Sequence, residues 1–511
     1  MVSKTVLLVN APSYTEGDVA GNYLAFPAIG VVALGTRLRN DYPDLDIDVI
    51  DGGILGIDGV KKKIDDTEPA IIGISVLTPT YKEGLEVAQY AKERHGSAVV
   101  LGNDHASFFP ELILQNRQHI DYVVQAEFGE IPFSYIVGKE TGQDIAIALN
   151  SEGDEKVYFR TPTGTAHVGF PKPRLSKVYS DVRDIPDLGL IADEMSIAKV
   201  AYNQKYSRHH TSERVPALIN NVRGCGNGKR RCTYCGIYDL SLNEGSPGFF
   251  WDVVRKYNDD YGVNFIFEVS DSFLTFQRYI RQLIATRPFE PKERDIEFEV
   301  YVRANDVVNI PDAIQWLKDL NVTRVNIGLD SGDDNILEFL RKNNQDKKRV
   351  LSPSAINYTA VRRLAEAGIT IHASFPLGAL GETKDSLENT VAFIERISRD
   401  FGRSIVTLEA SELVPLPNSP SWDMMLSREN TVFHMNGGLE ATLAKTGIRL
   451  GDDKKVELRH KYDNQDLLEI TELARDWTAN FTHIDWEDIN TTKKRVEQIA
   501  RSVGAIFGRA V

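Results

Sequence analysis

The sequence has little cysteine and no excess of positive charge. Only three of its 511 residues are Cys, too few for the disulfide framework typical of small secreted proteins. Asp and Glu number 73 against 59 Lys and Arg, which gives a formal net charge of −14. Because a polyphosphate surface attracts the opposite sign, we expect no nucleic-acid partner.

The sequence also lacks long apolar runs and low-complexity tracts. No stretch reaches the roughly 18 consecutive apolar residues of a membrane span, and the first twelve residues lack the features of a signal peptide. We therefore expect a cytoplasmic protein without a membrane span. The hydrophobic content of 42% and charged content of 26% are typical of globular proteins, and the length predicts about three domains.

The first 145 residues alternate short apolar runs with amphipathic segments. Buried strands are predicted at 6–10, 46–51, 70–76, 98–102 and 122–125, with helices such as 29–40 and 81–94 between them. This rhythm predicts an α/β domain with a Rossmann-like, doubly wound parallel sheet. Any ligand should bind at the carboxyl ends of the strands.

The alternation stops and then returns. Residues 146–214 gain Gly, Pro and charge, which predicts a linker segment that contains a hairpin. Residues 215–420 predict a partial (β/α)6 TIM-like barrel, with chemistry on the loops after the strands. Its strands are predicted at 217–222, 264–270, 297–303, 324–330, 370–377 and 405–413. Residues 421–511 are predicted to form a mainly helical substrate or cap region.

All three cysteines lie in one loop after the first predicted barrel strand. Cys225, Cys232 and Cys235 form a C-x6-C-x2-C pattern among glycines and cationic residues. Three soft thiolates select zinc or an iron–sulfur cluster, and nearby Arg and Lys side chains would offset the negative charge of such a cluster. With no fourth Cys, a [4Fe–4S] cluster would keep one iron open to another ligand. A structural zinc site completed by His209 or His210 is the alternative.

This loop resembles the cluster loop of the radical S-adenosylmethionine (SAM) enzymes, whose usual pattern is C-x3-C-x2-C with an aromatic residue before the last Cys. Tyr234 fills the aromatic position, whereas the first gap is six residues instead of three. Later segments are similar to the family in the expected order, at 267–273, 301–305, 325–332 and 375–383.

The resemblance implies roles for particular residues. The three cysteines would hold a [4Fe–4S] cluster, and the SAM-binding residues would be Tyr234, Asp271, Arg303, Asp330, Ser331 and Gly378. Asp271 would lie near the SAM amino group and Arg303 near its carboxylate, which is complementary in charge. Asp330 or Ser331 would lie near the ribose and Gly378 near the adenine. For Asp271 or Arg303 alone, an ion pair at the barrel mouth is the alternative.

The N-terminal domain resembles the cobalamin-binding domain that precedes the barrel in one radical SAM class. The similar segments are 7–12, 26–34, 73–81, 101–105 and 123–130. The D-x-H-x-x-G ligand motif of cobalamin mutases is absent, so no histidine bound to cobalt is implied. The usual glycine pair before the His reads Gly102-Asn103, and the usual G-E-G-E reads Ala126-Glu127-Phe128-Gly129-Glu130.

The cobalamin contacts implied by this resemblance follow the predicted strands. They are Asn10, Ala11, Pro12, Ser75, Thr78, Pro79, Tyr81, Gly102, Asn103, His105, Glu127, Gly129 and Glu130. For His105, a structural role at a helix start beside Asp104 is an equal alternative. A Rossmann-like domain that has lost its cofactor is also an alternative.

The resemblance implies a methyltransferase that acts on an unactivated carbon of a small metabolite, a natural-product intermediate or a peptide. A reduced cluster would cleave SAM to a 5′-deoxyadenosyl radical, and methylcobalamin would deliver the methyl group. An external electron donor would be required. The alternatives are cyclisation or ring rearrangement, a radical SAM enzyme with an empty first domain, and a non-catalytic, zinc-stapled binding protein.

Overall fold

The computed structural model describes residues 5–13, 25–143, 146–210, 212–238, 241–343, 351–434 and 437–508. The chain divides into two compact units. The first comprises Met1–Asn221, Asn243–Asn264 and Gln465–Leu468, and the second comprises Val222–Leu242, Phe265–Asn464 and Glu469–Val511.

The strands are short, as is usual in α/β proteins. In chain order they are β1 (Thr5–Asn10), β2 (Asp46–Asp51), β3 (Ile71–Ser75), β4 (Ala98–Gly102), β5 (Tyr122–Gln125), β6 (Glu155–Thr161), β7 (Gly164–Phe170), β8 (Pro216–Ile219), β9 (Val222–Arg223), β10 (Asn243–Glu244), β11 (Phe265–Glu268), β12 (Glu297–Val302), β13 (Val322–Gly328), β14 (Thr370–Leu377), β15 (Ile405–Glu412) and β16 (Ile506–Phe507).

Helices separate most of these strands. Those of the first unit are α1 (Ile29–Asp41), α2 (Gly52–Thr67), α3 (Tyr81–His95), α4 (Asp104–Phe108), α5 (Pro110–Asn116), α6 (Glu130–Thr141), α7 (Leu175–Val178), α8 (Ala192–Tyr206) and α9 (Pro247–Tyr261). Those of the second are α10 (Gln277–Ala285), α11 (Ala304–Asn309), α12 (Ala313–Asp319), α13 (Asp334–Phe339), α14 (Pro353–Glu366), α15 (Lys384–Phe401), α16 (Pro420–Met425), α17 (Thr431–His434), α18 (Leu439–Lys445), α19 (Asp452–Tyr462), α20 (Ile470–Phe481) and α21 (Trp486–Val503).

The first unit contains a seven-stranded sheet in the order β2-β1-β3-β4-β5-β6-β7. Strands β1 to β5 pair in parallel, which confirms the predicted doubly wound sheet. The interiors of β1 and β3 are buried throughout because helices cover both faces of a parallel sheet. The five strands predicted between residues 6 and 125 are all present.

The segment predicted as a linker, 146–214, packs within the first unit. Its hairpin of β6 and β7 is antiparallel and adds to the edge of the sheet beside β5. Helix α8 follows, with Met195, Tyr202 and Tyr206 buried. The loss of βα rhythm in the sequence marks a change from parallel to antiparallel pairing, because a hairpin needs no crossover helix.

The second unit is the partial barrel of βα units. Its strands β11 to β16 follow one another in the sheet in chain order, and every pair whose register is known is parallel. The six strands predicted from 217 to 413 lie within one or two residues of β8 and β11–β15, except that β8 is shorter. After residue 420 the described chain is helical apart from β16, as predicted. None of the described helices is long and apolar enough to cross a membrane.

Candidate functional site

The strand order of the first unit creates a binding edge between β1 and β3. The chain leaves β1 toward β2 on one side and continues with β3 on the other, and loops separate at such a switch point. The register aligns Asn10 with Ser75 and Ser75 with Gly102. Three of the residues predicted to contact cobalamin therefore end neighbouring strands at one level of the sheet.

Asp51, which the sequence did not single out, bonds the last residue of β1 and the residue before α1. Asn10 Nδ2 donates to Asp51 Oδ1 at 2.8 Å, and Asp51 Oδ2 accepts the N–H of Ala28 at 2.7 Å. Asp51 also caps α2 by accepting the Gly53 N–H, and its burial raises the pKa of the carboxyl. The neighbouring predicted residues Ala11 and Pro12 are buried.

Asn103 occupies a position where the related family usually has glycine. Its backbone conformation is one that favours glycine. Its φ is +77° and its ψ is −175°, a backbone conformation that residues other than glycine rarely adopt. The Asn103 side chain donates to Ser75 Oγ at 2.9 Å and accepts the Asp104 N–H at 2.7 Å. It thus joins the ends of β3 and β4.

Thr78, Tyr81 and His105 are buried together beside this edge, whereas Pro79 is exposed. His105 Nε2 lies 2.7 Å from the carbonyl oxygen of Asp466, which can only accept, so Nε2 carries the proton. Nδ1 then accepts from Thr78 Oγ1 at 3.1 Å. Burial lowers the pKa of His105 to about 4, so the imidazole is neutral at pH 7. Both ring nitrogens are engaged within the protein.

Two glutamates after β5 are also engaged within the first unit. Glu127 Oε2 lies 2.5 Å from Lys172 Nζ, and Glu130 accepts the Tyr179 hydroxyl. Between them the N–H of Phe128 donates to Glu155 Oε1 at 3.0 Å. Burial raises the pKa of Glu155 to about 8, and the charges of Glu130 and Glu127 add to the shift. Gly129 precedes α6 and is half-buried.

The cysteine loop of the second unit follows β9. All three cysteines are half-buried and free. The loop turns twice, since the Gly228 N–H donates to the carbonyl of Cys225 at 3.0 Å and the Cys235 N–H to that of Cys232 at 3.1 Å. Gly224 takes φ +93°, and a Cβ on Gly226 would lie 2.9 Å from Thr275, so both positions favour glycine.

Burial and two nearby cations act in opposite directions on the thiols of the cysteine loop. Burial raises the pKa of Cys225, and burial together with Cys232 raises that of Cys235 to about 12. Arg303 and Lys342 oppose the shift at Cys225. A bound metal cluster would hold the cysteines as thiolates, so the raised pKa of the free thiols would not prevent binding. Among the described residues no three His, Cys, Asp or Glu side chains surround a position for a single ion.

Tyr234 and Asp330, both assigned to SAM from the resemblance, are brought together. Tyr234 Oη donates to Asp330 Oδ1 at 2.7 Å, and Lys342 Nζ lies 2.8 Å from Asp330 Oδ2. Burial of Lys342 lowers its pKa, but the charge of Asp330 outweighs this, so the pKa stays well above its ordinary value. Lys342 was missed because nothing in the sequence spacing connects it to Tyr234.

Asp271 and Arg303 both lie beside the cysteine loop, Asp271 at Gly224 and Arg303 at Gly226. Asp271 Oδ2 accepts the Gly224 N–H at 3.0 Å, and Arg303 Nη1 lies 3.8 Å from Asp306 Oδ2. An ion pair is the alternative to SAM binding for Arg303, and its contact with Asp306 is such a pair. Ser331 is buried and bonds Thr390 Oγ1 at 2.9 Å.

Gly378 lies in a turn that is clamped from two sides. Glu382 Oε2 accepts the N–H groups of Gly378 at 3.2 Å and Ala379 at 3.1 Å, and Trp477 Nε1 donates to the Gly378 carbonyl at 2.8 Å. Gly378 takes φ +88°, and burial raises the pKa of Glu382 to about 7. The role of Trp477 could not be found from the sequence because 99 residues separate it from Gly378.

Two protein families match these two regions. Residues 219–394 match the radical SAM superfamily, and residues 21–133 match the B12 binding domain. The chain belongs to the B12-binding radical SAM family. The matched ranges contain the cysteine loop and the switch-point edge, respectively, which confirms the family resemblance read from the sequence.

Members of the B12-binding radical SAM family and related proteins match over most of the chain. It is 24% identical over 421 residues to an uncharacterized methyltransferase of Pyrococcus horikoshii, covering 80% of each protein. It is 23% identical over 404 residues to an anaerobic magnesium-protoporphyrin IX monomethyl ester cyclase of Rubrivivax gelatinosus, covering 76% of this chain and 65% of the cyclase.

Two solved structures share the fold of this B12-binding radical SAM protein. One is the cobalamin-dependent SAM radical enzyme OxsB, with a TM-score of 0.62 and 17% identity, covering 96% of this chain and 66% of OxsB. The other is the radical SAM methyltransferase TsrM from Kitasatospora setae, with a TM-score of 0.58 and 15% identity, covering 98% of this chain and 100% of TsrM.

Proposed function

We propose that the protein is a cobalamin-dependent radical SAM methyltransferase that acts on an unactivated carbon. The observation that carries the proposal is the pairing in one chain of the three-cysteine loop with a B12-binding domain. Its relative from P. horikoshii is named a methyltransferase, and TsrM, also named a methyltransferase, is covered over its full length.

Three cofactors follow from this function. Cys225, Cys232 and Cys235 would hold a [4Fe–4S] cluster, and the loops at the carboxyl ends of β1, β3, β4 and β5 would hold cobalamin. SAM would bind at Tyr234, Asp271, Arg303, Asp330, Ser331 and Gly378. When bound, the cluster and SAM supply hydrogen abstraction and cobalamin supplies the methyl group.

The protein's own contribution is charge and position. Arg303 and Lys342 place positive charge beside the cysteine loop, which stabilises thiolates bound to iron. Lys342 also holds Asp330 against Tyr234, and Glu382 fixes the turn at Gly378. Such support keeps binding groups in one geometry before the cofactor arrives.

We place the substrate among small metabolites, natural-product intermediates and peptides, and the reaction in the cytoplasm. Reduction of the cluster requires an electron donor outside this chain. Cyclisation is the second candidate, because the relative from R. gelatinosus is named a cyclase.

The two reactions leave different sets of products from SAM. The methyltransferase uses two SAM molecules: one methylates cobalamin and leaves S-adenosylhomocysteine, and the other supplies hydrogen abstraction and leaves 5′-deoxyadenosine and methionine. Cyclisation leaves no S-adenosylhomocysteine. We would load the full chain anaerobically with iron, sulfide and hydroxocobalamin, then add a reductant and SAM with a deuterated methyl group. Mass spectrometry should detect deuterated methylcobalamin and S-adenosylhomocysteine. If 5′-deoxyadenosine forms and cobalamin is never labelled, the methyltransferase is excluded and the cyclase is favoured.

Cys235→Ala is the matched variant for the cluster. It should reduce 5′-deoxyadenosine to the level of a protein-free control while leaving cobalamin binding unchanged, because Cys235 and the B12-binding domain lie in different units. Iron content and 5′-deoxyadenosine equal to the wild type would contradict the assignment of Cys235 as a cluster ligand.

A further inference from the structure

Asp466 is the centre of a buried polar network in the first unit. Its residue exposure is 2%, and it belongs to the four-residue segment Gln465–Leu468. Tyr81 Oη donates to its Oδ2 at 2.6 Å, although 385 residues separate the two in sequence. Arg117 forms a forked pair with both carboxylate oxygens, at 2.7 and 3.2 Å.

Two further bonds complete the network. Asn116 Nδ2 donates to Asp466 Oδ1 at 3.0 Å, and the Asp466 carbonyl accepts His105 Nε2 at 2.7 Å. Burial of the Asp466 carboxyl raises its pKa, but the bonds from Arg117, Tyr81 and Asn116 outweigh this and leave it lowered. Leu467 packs against the hydrophobic core of the unit, so the segment is held by an apolar contact as well as by the bonds of Asp466.

The partners of Asp466 come from the loops that the proposed function assigns to cobalamin. Tyr81 begins the helix that follows β3, and His105 lies in the first turn of the helix that follows β4. Asn116 and Arg117 end α5, which follows immediately. One residue therefore contacts the elements that follow two neighbouring strands. Its carboxylate accepts from Tyr81, Asn116 and Arg117, and its backbone carbonyl accepts from His105.

We propose that Asp466 is a positioning residue for cobalamin. The proposal rests on the proposed function, since it assumes that cobalamin binds at this edge. Asp466 need not touch the cofactor. Its carboxylate holds Tyr81, Asn116 and Arg117 in place, and without it the half-buried Arg117 would lose its carboxylate partner.

The test is a titration of the full chain with hydroxocobalamin, followed by absorbance and by tryptophan fluorescence. Asp466→Ala should weaken cobalamin binding by about tenfold, and Asp466→Asn, which keeps one acceptor, by less. Asp463→Asn is the matched control, because Asp463 bonds Arg428 in the other unit. SAM binding and iron content should not change in any of the three variants.

Unfolding measured without cobalamin separates positioning from a merely structural role. If Asp466→Ala lowers only the unfolding midpoint and binds cobalamin like the wild type well below that midpoint, the proposal is wrong. If Asp466→Ala does not fold, Asp466→Asn and Asn116→Ala decide, and unchanged affinity in both would overturn it. A wild-type protein that binds no cobalamin would instead refute the proposed function.

Discussion

At the scale of single residues, Asn103 holds a conformation that is nearly reserved for glycine. Its φ of +77° and ψ of −175° cost about 1–3 kcal/mol for a residue with a side chain. The Asn103 amide recovers part of this cost through its bonds to Ser75 and to the N–H of Asp104. Strain of this kind concentrates at ligand-binding edges, which is where the proposed function places cobalamin.

Two substitutions at Asn103 should have opposite effects on stability. Asn103→Gly relieves the strain and loses only part of the capping energy, so we expect the free energy of unfolding to rise by about 1 kcal/mol. Asn103→Ala keeps the strain and loses both side-chain bonds, so we expect a fall of about 1 kcal/mol. Urea unfolding of the cofactor-free chain measures both. Equal destabilisation by both variants would show that Asn103 is not strained.

Glu155 should make the first unit less stable as the pH rises. Burial raises its pKa from 4.5 to about 8, so the folded protein holds this proton where the unfolded chain has released it. Stability is therefore lost as the pH rises from about 5 to about 8, by about 3–4 kcal/mol. Glu155→Gln keeps an acceptor for the Phe128 N–H and has no proton to lose, so its unfolding should depend less on pH.

Glu152→Gln is the control for Glu155, because Glu152 is an exposed carboxylate in the same segment. Urea unfolding across this pH range should give the same profile for Glu152→Gln and the wild type. A Glu155→Gln profile that also follows the wild type would show that Glu155 does not bind the proton responsible.

At the scale of elements, α20 holds the turn after β14 in the second unit. Trp477 is fully buried, stacks on Phe481 at 4.5 Å and donates its indole N–H to the Gly378 carbonyl. The Gly381 N–H donates to the Phe481 carbonyl at 2.9 Å. The helical region after residue 421 thus supports a turn that the family resemblance assigns to SAM.

Trp477→Phe should lower the affinity for SAM by about fivefold to tenfold. The substitution keeps the aromatic stack but leaves the Gly378 carbonyl buried without its donor. Equilibrium dialysis of cluster-loaded protein measures the affinity. Trp486→Phe is the control, because the Arg475 guanidinium lies over the Trp486 ring and the same loss of an indole N–H is made there. Unchanged SAM affinity in a folded Trp477→Phe protein would remove α20 from the SAM site.

The elements that the sequence predicted are those with strong local signals. Strands such as β1 and β3 are continuous apolar runs, and the glycines of the cysteine loop stand beside its ligands in the chain. The hairpin of β6 and β7 was predicted, but as part of a linker and not as the edge of the sheet, because its exposed edge strand alternates weakly. Asp466, Lys342 and Trp477 were missed because their partners lie far away in sequence and only the folded chain brings them together.

At the scale of the whole molecule, each unit contains the parts expected for one type of cofactor. The first presents the carboxyl ends of β1, β3 and β4 at a switch point, and the second presents three cysteines on a barrel loop. The sequence was enough to predict both, because each strand end and the cysteine loop carry their own local signal in the chain. The substrate is not encoded in such motifs, and its class rests on the family resemblance.

The most direct test is the iron, cobalt and zinc content per chain, measured on protein produced with cobalamin and purified without oxygen. We expect about four irons and one cobalt per chain, as one [4Fe–4S] cluster and one cobalamin require. Iron without cobalt would contradict the two-cofactor account and leave a radical SAM protein with an empty first domain. Zinc alone would contradict the enzyme itself.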